Sequence, residues 1–268
     1  MAGKKIAILG GGNLGVAIAK GIVSAGQAQA SDIVITRRNL SKIVALKREK
    51  FVLSSDNVAA VKASSIVMLC VQPKQLAGLL SEISSALSEK KHILVSTITG
   101  ISTEEISSQL TKQVPIVRAM PNTAIAIGAS MTCICAKDTS EKQLKEIESL
   151  FKSLGQTLII EEHLMKAATV LAASGIAFFM RYLRAATQGG IQLGFDAEES
   201  QMIAAQTAKG AALLLAANHS HPELEIDKVT TPQGCTIAGL NEMEHQGLSS
   251  ALIKGIVASF EKINSIKK

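Results

Sequence analysis

Ile6-Ala7-Ile8-Leu9-Gly10-Gly11-Gly12-Asn13-Leu14-Gly15 is the most informative segment of this 268-residue chain. Its first four residues form a short apolar run, which is typical of a buried parallel strand. A turn of the form Gly-x-Gly-x-x-Gly follows, and apolar residues with helical spacing begin directly after it. Strand, glycine turn and helix in this order predict a unit that binds a dinucleotide. A purely structural glycine turn is the alternative, because such turns are common.

The three glycines of this pattern have different predicted roles. Gly10 permits the tight turn, Gly12 lets the backbone approach the phosphates, and Gly15 allows the helix to pack closely on the strand. The helix N-terminus then presents free N–H groups and the positive end of its dipole to an anion.

The composition indicates a soluble protein with an unusually aliphatic core. Hydrophobic residues make up 47% of the chain, but aromatic residues only 3%, with no Trp and one Tyr. The core must therefore consist of Ala, Ile, Leu and Val, which favours packed helices and buried parallel strands. The length suffices for one large domain or two ordinary ones.

The formal net charge of +6 is compatible with a nucleic-acid partner, but the distribution of charge is not. The basic residues are scattered along the chain, and few aromatic side chains are present for base stacking. Anionic small molecules such as dinucleotides or carboxylates explain the modest positive balance better. No cluster of His, Cys, Asp and Glu with metal-ligand spacing stands out, so we expect no metal site.

Cysteine usage and apolar segments favour a cytoplasmic protein. Cys70, Cys133, Cys135 and Cys235 match neither a Cys-x-x-Cys motif nor a zinc pattern, so we expect buried, reduced thiols. The N-terminal apolar run is too short for a signal peptide and leads into the glycine turn. The apolar stretch Ala167–Met180 is too short to cross a bilayer.

The pattern along the chain predicts an α/β fold with a Rossmann-type, mostly parallel sheet followed by an all-helical dimerisation domain. Residues 1–162 alternate β-type runs with helical patterns, whereas residues 163–268 are almost entirely helical. The helices predicted over Leu164–Gln188 and Ala197–Asn218 are apolar over much of their circumference, so we expect a second copy to cover them. The predicted strands are Lys5–Leu9, Asp32–Thr36, Ser65–Val71, His92–Ser96, Ile116–Ala119, Ala129–Cys135 and Thr157–Ile160.

The residues after the second strand favour NADPH over NADH. An NAD-binding unit usually carries Asp or Glu at the end of this strand, about 20 residues past the glycines. Here Arg37, Arg38 and Asn39 follow the strand, and Asp32 lies at its other end. An arginine at this position can pair with the 2′-phosphate of NADPH. Two solvated loop arginines, with NADH as the cofactor, are the alternative.

Four further segments resemble the pyrroline-5-carboxylate reductases, the last enzymes of proline biosynthesis. The resemblance runs in order over nearly the whole chain, and the third and fourth segments are the most specific. The segments are Val71-Gln72-Pro73-Lys74, Val95-Ser96-Thr97-Ile98-Thr99-Gly100-Ile101, Val117-Arg118-Ala119-Met120-Pro121-Asn122-Thr123 and Val229-Thr230-Thr231-Pro232-Gln233-Gly234-Cys235-Thr236-Ile237-Ala238-Gly239-Leu240.

This resemblance implies a set of cofactor-binding residues, most of them at carboxyl ends of strands, where open α/β sheets bind ligands. It implies that the glycine turn holds the pyrophosphate, that two residues bind the adenosine phosphate and one lies beside the adenosine. It also implies that the residues after three later strands reach the nicotinamide half. The pyrophosphate residues are Gly10, Gly11, Gly12, Asn13 and Leu14. Arg37 and Asn39 are the residues at the adenosine phosphate, and Asn57 lies beside the adenosine. The residues on the nicotinamide side are Cys70, Val71, Gln72, Pro73, Thr97, Ile98, Thr99, Met120, Pro121 and Asn122.

The segment Thr231–Thr236 has its own chemical interpretation. Pro232 and Gly234 favour a compact turn, and an apolar helical run begins after it at Ile237. Backbone N–H groups at such a helix start can hold a carboxylate. Ordinary capping of a helix by Ser or Thr is the alternative. The resemblance favours substrate binding by Thr231, Gly234, Cys235 and Thr236, with Thr236 placing its hydroxyl at the substrate nitrogen.

The reaction that the resemblance implies is hydride transfer from NADPH to the C=N carbon of L-1-pyrroline-5-carboxylate, giving L-proline. A protonated imine is already electrophilic, so no strong general acid is expected, and the protein supplies orientation and charge. The resemblance also implies a homodimer through interleaved C-terminal helices, with larger rings of dimers in some members.

Three positions depart from the family pattern, and they concern the substrate more than the cofactor. Gln72 stands where the family usually has lysine, Ile176 where it has proline, and His219 where some relatives have glutamate. A reductase of another cyclic imine and a dinucleotide-binding protein without catalysis therefore remain alternatives. A β-hydroxyacid dehydrogenase would need Asn four residues after Lys166, and Val170 occupies that position.

Overall fold

The computed structural model describes residues 4–265 and divides the chain into two compact units. The sheet unit comprises the described residues up to 174 together with those from 259 onward, and the helical unit comprises residues 175–258. The predicted division lay at residue 162, so the structure groups a further dozen residues and the end of the last helix with the sheet.

The sheet unit is built on eight strands in the order β3-β2-β1-β4-β5-β6-β7-β8. All neighbouring pairs are parallel except β6 and β7, which form an antiparallel pair. The predicted Rossmann-type, mostly parallel sheet is therefore confirmed. The strands are β1 Ile6–Leu9, β2 Ile33–Thr36, β3 Val52–Ser54, β4 Ile66–Leu69, β5 Ile93–Ser96, β6 Ile116–Met120, β7 Ser130–Lys137 and β8 Gly155–Ile159.

Helices cover both faces of this sheet and connect its parallel strands. Short 3₁₀ segments replace or extend several of them. The sequence pattern predicts a helix over Leu40–Glu49, and the structure has a 3₁₀ helix over Leu40–Lys47. The α-helices of the sheet unit are α1 Asn13–Ser24, α2 Asn57–Ala63, α3 Leu76–Ile83, α4 Thr103–Ser107, α5 Glu141–Lys152 and α6 Met165–Ala168, and a π-helix spans Thr169–Ser174.

The core is aliphatic, as the composition predicts. Successive residues of a strand point to opposite faces, so Ile6 and Ile8 join one buried cluster and Ala7 and Leu9 join the other. The same alternation runs through β2, β4 and β5. Phe151 is the one aromatic among the largest fully buried side chains of the described chain. Strands buried on both faces hold the strand ends, and hence the residues that follow them, in fixed positions.

The helical unit contains the long helices predicted for the C-terminal half. Ser200 on the second helix donates a hydrogen bond from Oγ to the carbonyl oxygen of Thr187 on the first, at 2.7 Å. The helices approach so closely there that a Cβ on Gly190 would lie 2.1 Å from the Ser200 hydroxyl. The helices are α7 Gly175–Gln192, α8 Ala197–Asn218, α9 Pro222–Val229, α10 Cys235–His245 and α11 Leu248–Asn264, the last of which ends in the sheet unit.

Many large apolar side chains of the helical unit are exposed in the single chain. Leu193 is 84% exposed, Phe179 72% and Met202 67%. Scattered exposed apolar residues are normal on a protein surface, but this density on neighbouring helices is typical of a surface that binds a partner.

One helix of the described chain, Glu162–Gln192, is long and apolar enough to cross a membrane by length and composition alone. The uncharged stretch Ala167–Met180 lies inside this helix, which 3₁₀, α and π segments make continuous over 31 residues. The buried helix of a soluble protein passes the same test, so the finding is weak evidence for a membrane span.

Candidate functional site

The glycine turn after β1 depends on close contact with the neighbouring strands. The backbone N–H groups of Gly10 and Gly11 both donate to the carbonyl oxygen of Thr36 at the end of β2, at 3.2 and 2.7 Å. Gly10 has a φ of +115°, and a Cβ there would lie 2.4 Å from the carbonyl oxygen of Cys70. Only glycine fits this position, because both the dihedral angle and the neighbouring strand exclude a side chain.

The next two glycines of the motif differ in what surrounds them. A Cβ on Gly15 would lie 2.3 Å from the carbonyl oxygen of Gly10, so Gly15 is required for packing. A Cβ on Gly12 would meet no protein atom within 4 Å, and no side chain caps α1 at its Gly12 N-terminus. The helix start therefore opens into free space beside the turn, which is the arrangement that a pyrophosphate needs.

Arg37 is hydrogen-bonded to the glycine turn. Its guanidinium Nη1 donates to the carbonyl oxygen of Gly11, and its backbone N–H donates to Ser54 at 3.1 Å. Arg37 is half-buried, whereas Arg38 is exposed. Of the two arginines, Arg38 is therefore a solvated loop residue and Arg37 is not. A fixed cation beside the helix start suits a phosphate group.

The two asparagines assigned to the adenosine side have partners within the protein. Asn39 caps the 3₁₀ helix 40–47, accepting at Oδ1 from the backbone N–H and the hydroxyl of Ser41 at 3.0 and 2.7 Å. Asn57 accepts from the Thr36 hydroxyl at 2.6 Å and donates to Glu82 at 3.0 Å. Both lie next to the end of β2, so the structure brings them into the neighbourhood of Arg37.

The residues after β4 and β5 lie side by side, since these two strands are parallel neighbours. Thr97 is buried and donates from Oγ1 to the carbonyl oxygen of Leu69 at 3.1 Å and to the Cys70 sulfur at 3.5 Å. Burial raises the pKa of the Cys70 thiol to about 11, although the Thr97 hydrogen bond opposes the shift. Cys70 is therefore a neutral thiol at physiological pH, which excludes it as a nucleophile.

The other residues of these two strand ends differ in exposure. Val71, Pro73 and Thr99 are half-buried, Gln72 is exposed, and Ile98 is buried. Pro73–Gln75 forms a 3₁₀ turn whose N-cap is Gln72. The Gln72 backbone N–H donates to the Gln75 side-chain oxygen at 3.1 Å. The glutamine that replaces the family's lysine thus belongs to the capping of this turn.

The end of β6 contains two buried residues and one structural asparagine. Met120 and Pro121 are buried, and Met120 packs in a small cluster with Cys135 and Met165. Asn122 accepts from the backbone N–H of Ala124 and donates to the carbonyl oxygen of Ala172 in the π-helix, both at 3.0 Å. The polar atoms of Asn122 are therefore engaged in holding this strand end against the π-helix.

A buried ion pair that the sequence did not predict lies near the end of β6. Arg118 is 4% exposed, and its Nη1 donates to Glu162 Oε1 at 3.0 Å. Glu162 also accepts from the backbone N–H and hydroxyl of Thr103 at the start of α4, at 2.7 and 2.5 Å. The pair fastens the start of the helix at residue 162 to the sheet. An arginine within an apolar strand was the available signal, but its partner lies 44 residues away.

In the helical unit, Thr231–Thr236 forms the compact turn predicted for it. Gly234 donates from its backbone N–H to the carbonyl oxygen of Thr231 at 3.0 Å, and a Cβ on Gly234 would lie 2.4 Å from the Thr231 hydroxyl. The helix begins at Cys235, two residues earlier than predicted, because Gly234 serves as its N-cap. Cys235 and Thr236 therefore stand in the first turn, where backbone N–H groups lack helical acceptors.

The four cysteines differ in burial. Cys133 and Cys135 are buried and all four cysteines are free, but Cys235 is exposed, so the prediction of burial was wrong for that residue. It stands on the first turn of a surface helix rather than inside a strand. Within residues 4–265, no three His, Cys, Asp or Glu residues are grouped to hold a metal ion.

Two family models match the chain. Residues 162–266 match the model for pyrroline-5-carboxylate reductase dimerisation, and residues 5–100 match the model for NADP oxidoreductases described as coenzyme F420-dependent. The first match coincides with the helical half of the chain, and the second with the glycine turn and the first strands.

Curated relatives and a solved structure agree with the first model. Pyrroline-5-carboxylate reductases 1 and 2 of Dictyostelium discoideum are 51% and 50% identical over 97% of this chain. The chain spans about half of the first relative (49%) but 92% of the second. The NADP-bound crystal structure of Plasmodium falciparum pyrroline carboxylate reductase superposes with a TM-score of 0.91 at 22% identity, covering 100% of both chains. The chain belongs to the pyrroline-5-carboxylate reductase family.

Proposed function

We propose that the chain reduces L-1-pyrroline-5-carboxylate to L-proline, the last step of proline biosynthesis, with NADPH as the reductant. The observation that carries this proposal is the 50% identity to the second Dictyostelium reductase over nearly the full length of both chains. The site geometry supports it, because the family's strand-end residues meet at one edge of the sheet and its substrate segment forms a helix start.

The residues around the glycine turn fit a dinucleotide. Gly10 and Gly15 have no room for a side chain, whereas the space beside Gly12 is free. The backbone of Gly10–Leu14 would hold the pyrophosphate, and Arg37 would pair with the adenosine phosphate that distinguishes NADPH from NADH. The other members of the proposed set are Asn39, Asn57, Cys70, Val71, Gln72, Pro73, Thr97, Ile98, Thr99, Met120, Pro121 and Asn122.

The start of α10 is the proposed substrate site, formed by Thr231, Gly234, Cys235 and Thr236. Free N–H groups at this helix start stabilise a carboxylate without a basic side chain. The Thr236 hydroxyl orients the ring nitrogen and does not titrate. NADPH supplies the hydride that adds to the imine carbon. Because the protonated imine is electrophilic, orientation and charge are the contributions required of the protein.

We further propose a cytoplasmic homodimer, formed through the C-terminal helices, with a ring of dimers as a larger assembly. The match to the dimerisation model and the exposed apolar residues of α7 and α8 support the dimer. Apolar surface of this density is stabilised when a second copy covers it. We propose a division of roles at residue 162, with cofactor binding before it and dimerisation and substrate binding after it, and no nucleic-acid or membrane partner.

The decisive experiment follows NADPH oxidation by the purified protein with L-1-pyrroline-5-carboxylate, with NADH in parallel. We expect proline as the product and a higher kcat/KM with NADPH. Thr236→Ala should lower kcat while the NADPH Kd stays within about twofold, since the hydroxyl contacts only the substrate. Tight NADPH binding without oxidation would contradict the proposal and favour another imine or a binder without catalysis.

The assignment of the phosphate to Arg37 has a matched control in its neighbour. Arg37→Ala should raise the KM for NADPH about tenfold or more and leave that for NADH nearly unchanged, because a charge-assisted hydrogen bond contributes about 1.5–3 kcal/mol. Arg38→Ala removes the same charge from an exposed side chain and should change the KM less. Equal effects of Arg37→Ala on both cofactors would exclude Arg37 from phosphate binding.

A further inference from the structure

The helical segment of residues 162–174 is hydrogen-bonded to the end of β6 at two points. At the first point, Arg118 Nη1 donates to Glu162 Oε1 at 3.0 Å. At the second, Asn122 Nδ2 donates to the carbonyl oxygen of Ala172, also at 3.0 Å. The extended backbone from 118 to 122 spans about 13 Å, and the helical backbone from 162 to 172 spans about 15 Å. Because these lengths are similar, the helical segment follows the strand between the two points.

Sulfur-containing side chains fill the contact between these two points. Met120 on the strand and Met165 on the helical segment are 2% and 0% exposed, and both pack with Cys135 of β7. Arg118 and Met120 point to the same face of the sheet, because side chains alternate along a strand. Methionine is flexible and packs in several arrangements. The two hydrogen bonds therefore fix the register of the segment against β6 more strictly than this packing does.

Glu162 also holds the start of α4, which follows the loop after β5. Its two carboxylate oxygens accept from the backbone N–H and the hydroxyl of Thr103, at 2.7 and 2.5 Å. Residues 97–99, which belong to the proposed cofactor site, lie in this loop. Arg118 is 4% exposed, so moving Glu162 away would leave a buried charge without its partner. One carboxylate thus joins β6, the loop after β5 and the helical segment in a single arrangement.

A cavity of about 430 Å³ lies between two of the three elements that Glu162 joins. Thr99 lines it from the loop after β5, and Thr169 and Ser174 line it from the two ends of the π-helix. The volume is at the lower end of the range for small-molecule sites, so it suits one ring of a cofactor better than a whole dinucleotide. The ends of β4 and β5 also form the proposed nicotinamide side of the site.

The width of this cavity depends on the register of the helical segment. A shift of the segment by one residue along β6 would move Thr169 and Ser174 by about 1.5 Å relative to Thr99. A misplacement of about 1 Å at the reacting atoms can slow a reaction about 100-fold. The register is therefore a property on which hydride transfer depends.

We propose that Arg118 is a positioning residue for hydride transfer. Through Glu162 it fixes the register of residues 162–174 against β6, and so it holds the cavity wall that orients the nicotinamide ring. Because its side chain is buried, Arg118 acts through Glu162 and not by contact with a ligand. This inference rests on the proposed function, since the ends of β4 and β5 belong to the proposed nicotinamide side.

The test measures hydride transfer separately from cofactor binding. In a single turnover of bound NADPH, Arg118→Met should slow hydride transfer about tenfold or more, while the NADPH Kd stays within about threefold. The Kd changes little because the proposed pyrophosphate and phosphate contacts lie at the ends of β1 and β2. The isotope effect on kcat with NADPH deuterated at the transferred hydrogen should rise, since hydride transfer then limits turnover. Arg118→Lys keeps the charge and should stay within about threefold of the wild-type rate.

A double variant tests whether Arg118 acts through Glu162. Arg118→Met combined with Glu162→Gln should be no slower than the slower single variant, because both changes break the same bond. The double variant also leaves no unpaired charge in the sheet unit at this point, so it carries the test if Arg118→Met does not fold.

Phe151→Leu is the control for a loss of stability alone. Phe151 is fully buried on α5 and packs in the core cluster beneath the sheet, so its replacement should lower Tm. Hydride transfer should keep its wild-type rate in this variant. All rates are compared at a temperature at which circular dichroism shows each variant to be folded.

Three results would overturn the role of Arg118. They are an unchanged hydride-transfer rate in Arg118→Met, an equal slowing in Phe151→Leu, and effects of the two single changes that multiply in the double variant. In each case the wild-type enzyme would still reduce L-1-pyrroline-5-carboxylate, so the proposed function would stand. Failure of the wild-type enzyme to turn over that substrate would instead contradict the proposed function itself.

Discussion

Replacing Glu162 with glutamine removes the carboxylate that pairs with Arg118 inside the sheet unit. The Arg118 side chain is only 5% exposed, and its Nε has no hydrogen-bond partner in the described structure, so the guanidinium depends on Glu162. Deleting one partner of a buried ion pair costs about 3–5 kcal/mol, because the other charge remains buried. The Glu162 side chain is 33% exposed, and glutamine keeps an oxygen for Thr103. We therefore expect a loss of about 2–3 kcal/mol in the free energy of unfolding.

Thermal and urea unfolding, followed by far-UV circular dichroism at a fixed protein concentration, measure this loss. A loss of about 2–3 kcal/mol corresponds to a fall in Tm of about 4–12 °C for a protein of this size. Glu161→Gln is the control, since the ion-pair partner of Glu161 within residues 4–265 is His163 and both side chains are largely exposed. It should change the free energy of unfolding by less than about 0.5 kcal/mol. Equal stabilities of the two variants would refute the reasoning.

The pH dependence of the wild-type protein gives an independent check on Glu162. Burial raises the pKa of this carboxyl, but the hydrogen bonds from Thr103 and Arg118 outweigh it and lower the pKa below its ordinary 4.5. A carboxyl with a lowered folded-state pKa stabilises the fold above its unfolded-state pKa, and the contribution is lost as the pH falls through the folded value. The stability difference between wild type and Glu162→Gln should therefore shrink below about pH 4.5.

Two further predictions concern the glycine turn and a buried histidine. Gly12→Val should weaken NADPH binding at least about 100-fold while Tm stays within about 2 °C, since the valine side chain enters space that no protein atom occupies. Gly15→Val should unfold the protein, because a Cβ at this position would overlap the Gly10 carbonyl oxygen. Equilibrium dialysis and thermal unfolding separate the two outcomes, and retained NADPH affinity in Gly12→Val would contradict the pyrophosphate assignment. Burial lowers the pKa of His92, whose Nδ1 accepts from the Ser88 backbone N–H at 2.8 Å. As the pH falls below about 6.5, the unfolded chain binds a proton at His92 before the folded chain does. The urea concentration at the unfolding midpoint should therefore decrease between pH 7 and about pH 5.5, and it should decrease less in His92→Gln. An equal decrease in both proteins would show that His92 does not cause the pH dependence.

Much of the fold could be predicted because its signals are local. Apolar runs of four or five residues between helical patterns mark the central strands, and alternation of strand and helix implies parallel order. Strand β3 was not predicted, because it is three residues long and its first residue, Val52, is 42% exposed. Pairing with β2 stabilises it, and a window on the sequence does not contain that neighbour.

The candidate site could be predicted as far as parallel topology places strand ends together. The structure groups the ends of β1, β4, β5 and β6 at one edge, which follows from their order and direction. The attachment of Arg37 to Gly11 and the Arg118–Glu162 pair could not be predicted, since each joins residues 26 or 44 positions apart. The π-helix Thr169–Ser174 also escaped prediction, because its extra residue per turn leaves no mark in a hydrophobic pattern.

The bond between Arg37 and the Gly11 carbonyl has a consequence for the thermodynamics of cofactor binding. An arginine side chain that is free in solution loses about 2 kcal/mol of conformational entropy when it is immobilised. The Gly11 carbonyl already restricts this guanidinium before any ligand arrives. Much of the ordering cost is therefore met during folding, and discrimination for a 2′-phosphate should be visible in binding enthalpy more than in entropy. A lysine at this position would keep the charge but would lack the planar guanidinium, which the Gly11 carbonyl orients before the cofactor binds. Replacing Arg37 with lysine is therefore not a conservative substitution.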